Sequence, residues 1–107
     1  MTTTIQQTTD REAYRRERWE NKTQDANAIV EKLKHEVPEA VPHTRIVGAW
    51  LWIAFPQKPE RQTLETIKRL GFSWNRKREA WQNPCGVFRP ASKTHDPRQF
   101  YGEEPIE

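Results

Sequence analysis

The chain has 107 residues, of which 34% are hydrophobic and 31% are charged, and these totals predict one small domain with a limited core. A single cysteine, Cys85, excludes an intrachain disulfide and a zinc site built from several thiolates, and it fits a reducing cytoplasm. No apolar run approaches the roughly 20 residues that a membrane span needs, so no membrane partner is expected. The first eight residues lack a basic start and an apolar segment, which argues against a secretion signal.

Charge is distributed unevenly along the chain. Residues 1–43 hold seven Lys or Arg against eight Asp or Glu, whereas residues 44–98 hold eleven against four. Residues 99–107 add three glutamates and no base, which brings the whole chain to a net charge of +3. The positive charge therefore lies on the tryptophan-rich middle of the chain, and this asymmetry favours a polyanionic partner.

The N-terminal part of the sequence predicts a polar tail followed by a helical segment. Residues 1–8 are rich in Thr and Gln, so we expect a disordered tail there. The helical segment covers residues 9–37 and stops at Pro38. A break or bend at residues 21–23 would give two collinear helices, and without it there would be one. Apolar side chains recur at helical spacing in the second half of the segment, at Ala26, Ile29, Val30, Leu33 and Val37.

A small domain is predicted over residues 44–90, and it begins with one strand, residues 45–55. Period-two alternation separates two faces of this strand. Trp50 and Trp52 share one face. The other face is aliphatic and is expected to lie on the core; its members are Val47, Ala49, Leu51, Ile53 and Phe55.

A helix and a hairpin complete the predicted domain. The helix starts at Pro59 and ends at Gly71 in the left-handed conformation that favours glycine, with Phe72 folding back onto it. Residues 72–74 and 80–82 are expected to be short strands joined by a loop. The fold class is therefore α+β in a single domain. A long N-terminal helix is followed by a strand, a helix and a tryptophan hairpin, and the strand and the hairpin form a small antiparallel sheet. Residues 91–107 are expected to be a C-terminal tail.

Catalysis is not expected from the residue types present. His35, His43 and His95 are spread over a helix, a linker and the tail, and none belongs to an HxH or HExxH pattern. Cys85 lies in a Pro-Cys-Gly turn without a histidine nearby in the sequence. We therefore predict no enzyme activity, no metal site and no cofactor.

The hairpin loop carries the strongest candidate contact, Arg76, Lys77 and Arg78. Charged hairpin turns are often solvated for solubility alone, so a simple surface turn is one interpretation. The other is an anion site, because three adjacent cations repel one another and a polyanion would relieve that repulsion. Three cations of the preceding helix would widen the same basic surface: Arg61, Lys68 and Arg69.

The tryptophans also allow two interpretations. Trp74 and Trp81 occupy matched positions on either side of the loop and are expected to pair across the hairpin. Trp50 and Trp52 would form a stacking surface for bases if their face is exposed. They would instead be core residues if the N-terminal helix covers them, with Trp19 as the ring that packs on them.

The same segment resembles known sequences. The residues concerned are Gly48-x-Trp50-Leu51-Trp52-Ile53-x-Phe55-x-x-Lys58-Pro59, then Leu70-Gly71-Phe72-x-Trp74 and Arg78-x-x-Trp81. This pattern is similar to small uncharacterised proteins of phages, plasmids and other bacterial mobile elements, and more weakly to the HARP domain of annealing helicases, which binds DNA. The resemblance covers about residues 45–83. It implies an accessory protein in the cytoplasm of a bacterial host and supplies no catalytic residues.

Two functions follow as hypotheses. The first is a non-enzymatic nucleic-acid-binding module with little base specificity, for which single-stranded DNA is one candidate ligand. In it, the loop cations contact phosphates and Trp50 and Trp52 stack on bases. The alternative is a protein-binding inhibitor or adaptor of the anti-CRISPR or anti-restriction type, acting on a host defence enzyme. Its contact residues would lie on the N-terminal helix and are Tyr14, Glu17, Trp19 and Glu20. The same helix could also form a homodimer.

Overall fold

The protein combines helices with one small antiparallel sheet, which confirms the predicted α+β class. The computed structural model describes residues 2–90 and 94–106, with side chains from residue 10 onward. The helices of this part are α1 (Thr2–Thr23), α2 (Ala26–Glu36), α3 (Arg61–Arg69), α4 (Pro97–Tyr101) and a 3₁₀ helix (Pro38–His43). The strands are β1 (Thr44–Val47), β2 (Trp50–Ile53), β3 (Ser73–Asn75), β4 (Ala80–Asn83) and β5 (Glu104–Pro105).

The N-terminal helical segment consists of two helices, which was one of the two predicted alternatives; the other was a single helix. α1 ends at Thr23, and Asp25 caps the start of α2, where its carboxylate accepts a hydrogen bond of 2.9 Å from the backbone N–H of Ala28. The composition predicts a disordered tail over residues 1–8, whereas α1 begins at Thr2. Nothing is described of the side chains in the first nine residues.

The single strand predicted over residues 45–55 is wrong, because the chain reverses at Gly48 and Ala49 to form a β1–β2 hairpin. Gly48 has φ +64°, a left-handed conformation that glycine adopts readily, and Val47 pairs with Trp50 across the turn. The reversal changes the face of Val47. It lies with Trp50 and Trp52, not with the aliphatic residues of β2.

Within the described residues, the sheet has five strands in the order β3-β4-β2-β1-β5, and every neighbouring pair is antiparallel. The predicted hairpin supplies β3 and β4 within one residue of the expected bounds. The segment predicted as a C-terminal tail, residues 91–107, contributes α4 and the edge strand β5 from its described part. Residues 91–93 lie outside the description.

One face of the sheet carries the main core, and we call it the helix face. Leu51 and Ile53 of β2 are fully buried there against α2, the 3₁₀ helix and α3. The fully buried residues that fill the space between the sheet and these helices include Ile29, Leu33, Ala40, Ile67 and Phe72. The opposite face carries Trp50 and Trp52, and we call it the open face.

The end of α3 matches the sequence prediction and fixes where α1 lies. The Gly71 N–H donates to the Lys68 carbonyl and the Phe72 N–H to the Ile67 carbonyl, the two hydrogen bonds of a Schellman motif, with Gly71 at φ +95°. A Cβ at Gly71 would stand 3.0 Å from the backbone nitrogen of Lys22. The missing side chain therefore lets the backbone of α1 approach the end of α3 closely, which places Lys22 beside β3.

Candidate nucleic-acid interface

Trp52 does not form an exposed stacking surface, because the C-terminal segment covers it. The ring is 4% exposed and packs in a small cluster with Val47 and Ala80 on the open face. The guanidinium carbon of Arg98, in α4, lies 4.9 Å from the centre of the indole ring. This cation–π contact assigns Trp52 to the core of the open face, and the prediction that it stacks on bases is not supported.

Arg98 is held in place over Trp52 by hydrogen bonds. Its Nη2 lies 2.8 Å from Oδ2 of Asp96, and the hydrogen bond from Arg98 is the main cause that lowers the pKa of the Asp96 carboxyl. Nη2 of Arg78 donates to the His95 carbonyl at 2.7 Å. The second of these bonds ties Arg78 of the hairpin loop to the C-terminal segment.

Trp50 has a different position from Trp52 and lines two adjacent hollows on the open face. Its ring is half-buried, and its Nε1–H donates to the Val87 carbonyl at 2.5 Å. The two hollows have volumes of about 410 and 590 Å³. We call them the first and second hollow, and together the groove. The residues that line both of them are Trp50, Asn75, Lys77 and Gln82.

The groove is basic. Of the described residues that line it, none is acidic. The cations that line it are Lys22, Arg76, Lys77, Arg78 and Arg89. A concave surface that carries one sign of charge concentrates the electrostatic potential, so the groove attracts anions. All three loop cations predicted from the sequence belong to this set.

Lys22 enters the second hollow from α1. Its Nζ donates to the Ser73 hydroxyl at 2.8 Å, and Nη2 of Arg18 donates to the same oxygen at 3.1 Å. Partial burial, and after it the nearby charge of Arg18, lowers the pKa of Lys22. Both causes disfavour the charged amine, so an anion bound in the groove would stabilise it.

The floor of the groove contains a pair of amide side chains. Oδ1 of Asn75 accepts a hydrogen bond of 3.0 Å from the backbone N–H of Arg78, which shapes the loop. Nδ2 of Asn75 donates to Oε1 of Gln82 at 3.1 Å. Neutral hydrogen-bonding groups thus line the groove together with the loop cations and Trp50.

The three cations of α3 that were predicted to widen the basic surface do not line the groove. Arg61, Lys68 and Arg69 belong to α3, on the helix face, whereas the loop cations line the groove of the open face. Nζ of Lys68 lies 5.8 Å from the centre of the Trp81 ring. The other two cations have acidic neighbours: Nε of Arg69 is 3.8 Å from Oε1 of Glu17, and that of Arg61 is 3.1 Å from Glu65.

Trp74 and Trp81 pair across the hairpin as predicted. Their ring centres are 5.4 Å apart and their planes are tilted by 55°. Trp81 is opposite Ile53 and packs against the main core, while Trp74 is half-exposed on the edge strand and lines the second hollow. Trp81 therefore stabilises the fold, and the exposed Trp74 ring packs on it from the same side of the sheet.

The residues of the alternative hypothesis lie on α1, where Trp19 is 60% exposed. The centres of the Trp19 and Phe88 rings are 5.6 Å apart and their planes differ by 19°, so the two rings stack. Because Trp19 packs on Phe88, the interpretation that it covers Trp50 and Trp52 is wrong. Tyr14 is exposed beneath the guanidinium of Arg18. The exposed residues of this hypothesis are Tyr14, Glu17, Trp19 and Glu20.

The residues considered for catalysis do not converge in the described part of the chain. No group of three or more His, Cys, Asp and Glu side chains there is placed to hold a metal ion. Cys85 is 6% exposed, and burial raises the pKa of its thiol to about 12, so the thiolate is scarce at neutral pH. None of the described helices combines the length and apolar character of a membrane span.

Sequence reasoning missed several groove residues. Asn75 and Gln82 could have been assigned to one face by pairing the predicted hairpin strands, since Asn75 is opposite Ala80 and Gln82 follows Ala80 by two positions. Arg89 and Tyr101 gave no local signal, because only the return of the C-terminal segment brings them to the sheet. Lys22 depends in the same way on the contact between α1 and α3.

Comparison with known proteins adds no family. No protein-family model, curated protein or solved structure matches the chain. The resemblance of residues 45–83 to mobile-element proteins and to the HARP domain therefore stays a prediction.

Proposed function

We propose that the protein is a non-enzymatic accessory protein that binds single-stranded nucleic acid in the groove. One observation carries the proposal: the groove is lined by five cations, by aromatic rings and, among the described residues, by no carboxylate. Cations neutralise phosphates while rings stack on bases, so this combination suits a flexible polyanion with exposed bases.

The shape of the groove favours a single strand over a duplex. The hollows of about 410 and 590 Å³ meet at Trp50, so a strand crossing from one to the other passes this ring. A base stacked on an aromatic side chain contributes about 1–3 kcal/mol to binding. Bases inside a duplex are already stacked and cannot make this contact. Other aromatic residues line the hollows, Phe88 the second and Tyr101 the first.

The resemblance to mobile-element proteins supports the same assignment from the sequence side. If the protein belongs to such an element, a strand-binding role would fit the single-stranded intermediates that replication and transfer produce. The proposal also includes the nucleic-acid partner, the bacterial cytoplasm as the compartment and the absence of catalysis. These three parts rest on the residue pattern.

A titration with labelled oligonucleotides tests the proposal. Single-stranded DNA, single-stranded RNA and a DNA duplex of the same length are titrated at about 50 and about 200 mM salt. For a single strand with three to five neutralised phosphates, the affinity is expected to fall by about 20- to 130-fold between these salt concentrations. We expect the single strands to bind more tightly than the duplex. Absence of binding to all three at the lower salt, or an affinity that does not respond to salt, would contradict the proposal.

A protein partner is the second candidate function, and the exposed aromatic pair formed by Trp19 of α1 and Phe88 is the observation that favours it. Trp19 is 60% exposed and Phe88 is 55% exposed, although the two rings stack on each other. Exposed aromatic residues are enriched among the contacts that dominate protein interfaces. If no oligonucleotide binds, a protein partner that contacts this pair and Tyr14 becomes the favoured function.

A further inference from the structure

The orientation of the Gln82 amide follows from a chain of hydrogen bonds that begins at the backbone. The N–H of Arg78 can only donate, so the atom of Asn75 that it contacts must be the carbonyl oxygen Oδ1. The NH₂ group of Asn75 therefore faces Gln82, and the atom that receives its hydrogen bond must be Oε1. The remaining group of Gln82, its NH₂, is left with two donors.

This NH₂ group is available to a ligand. Gln82 is half-buried and lines both hollows, and within the part of the chain that the structure describes no acceptor binds its Nε2. The charged side chains of the first hollow, Lys77, Arg78 and Arg89, are donors as well. The polar side of this hollow thus offers mainly hydrogen-bond donors.

We propose that the first hollow holds one unstacked base and that Gln82 is the residue that recognises its hydrogen-bonding edge; this inference rests on the proposed function. The hollow has a volume of about 410 Å³, which lies in the range of about 300–1,000 Å³ that is usual for small-ligand sites. Its walls are apolar and suit the faces of a base. They include Trp50, Pro97 and Tyr101.

The donor pattern favours cytosine over adenine. A glutamine with a free amide group pairs with adenine through two hydrogen bonds, and one of them is accepted by the glutamine oxygen from the adenine amino group. Oε1 of Gln82 already accepts from Asn75, so only one of its two lone pairs remains for the adenine amino group. Cytosine instead presents two adjacent acceptors, O2 and N3, to the NH₂ group of Gln82.

The ratio of two affinities tests the inference. Oligo-dC and oligo-dA of equal length are titrated with the native protein, with Gln82→Leu, and with Gln57→Leu as the matched control. Gln57 is exposed in the segment after β2 and lines neither hollow. We expect the native protein and the control to prefer oligo-dC by about fivefold or more and the Gln82→Leu protein to bind both strands within about twofold.

The Asn75→Asp variant distinguishes recognition from a structural effect. A carboxylate still accepts from the backbone N–H of Arg78, but it cannot donate to Gln82, so the Gln82 amide turns over and presents its oxygen to the ligand. The added negative charge lowers the affinity for both strands, whereas the reversed amide shifts the ratio toward oligo-dA. Such a shift would support the inference.

Two outcomes would overturn the inference, and they are distinguishable from each other. If the native protein binds both strands in a salt-dependent manner and the ratio is the same in the Gln82→Leu and Asn75→Asp proteins, the groove binds a strand but Gln82 recognises no base. If neither strand binds at low salt, the proposed function fails and the inference fails with it.

Discussion

Replacing Arg76 and Lys77 with glutamine is expected to weaken the binding of a single-stranded oligonucleotide about 60-fold at about 50 mM salt. Each phosphate contact of a single strand contributes about 0.7 to the slope of the logarithm of the affinity against the logarithm of the salt concentration, so the loss of two contacts lowers the slope by about 1.4. Both side chains are exposed and line the second hollow. Arg78 is kept because it also donates to the His95 carbonyl.

The double variant Arg15→Gln/Arg16→Gln is the matched control, because it removes the same charge from exposed positions of α1 that do not line the groove. Its effect on affinity should stay within about threefold, since screened charges outside a contact act weakly at this ionic strength. Equal losses in the two double variants would show that net charge alone drives binding, and the groove would then have no special role.

The Asn83→Ala variant is expected to lower the free energy of unfolding by about 3 kcal/mol or more. Asn83 is fully buried, and its Nδ2 donates to the carbonyls of Leu70, at 2.9 Å, and Asn21, at 3.2 Å. Its Oδ1 accepts from the N–H of Cys85 at 2.8 Å. Alanine would leave these three backbone groups without their partner, and one side chain would no longer join β4 to α1 and the end of α3.

Urea unfolding followed by tryptophan fluorescence measures this loss, and Asn27→Ala provides the control. Asn27 is exposed near the start of α2, so its replacement should change the stability by less than about 0.5 kcal/mol. A loss below about 1 kcal/mol for Asn83→Ala would mean that water or a backbone shift satisfies the three groups, and the account of how α1 is fixed to the sheet would be wrong.

Local chemistry explains which parts of the fold were predictable. Gly71 ends α3 because a helix of that pattern needs a left-handed residue there, and the two backbone hydrogen bonds of the motif form within six residues of chain. The β3–β4 hairpin was equally visible, since Trp74 and Trp81 are symmetric about a short polar loop. Both features depend only on neighbours in the sequence.

The hairpin between β1 and β2 was missed because its turn has a weak signature. Gly48 and Ala49 continue the alternation of the flanking residues, so one long strand and two paired strands give nearly the same pattern. The turn moves Val47 to the face of Trp50 and Trp52. Which residues share a face of the sheet therefore depends on the turn at Gly48.

The groove was only partly predictable, because contacts between distant segments complete it. The loop cations and Trp50 were selected from their residue types and spacing. The covering of Trp52 by Arg98 required the C-terminal segment to return to the sheet, and its polar composition is typical of a mobile tail. The position of Lys22 required the close approach of α1 to Gly71, which no periodicity in the sequence indicates.

Photo-crosslinking with an oligonucleotide that carries halogenated uracil tests most directly whether the strand occupies the groove. Irradiation of the complex links the modified base to an aromatic ring in contact with it, and mass spectrometry identifies the linked residue. Crosslinks at Trp50 or Tyr101 are the predicted result, because these rings line the first hollow. Crosslinks confined to Trp19 on α1, or to Trp81 on the helix face, would place the strand elsewhere and contradict the account.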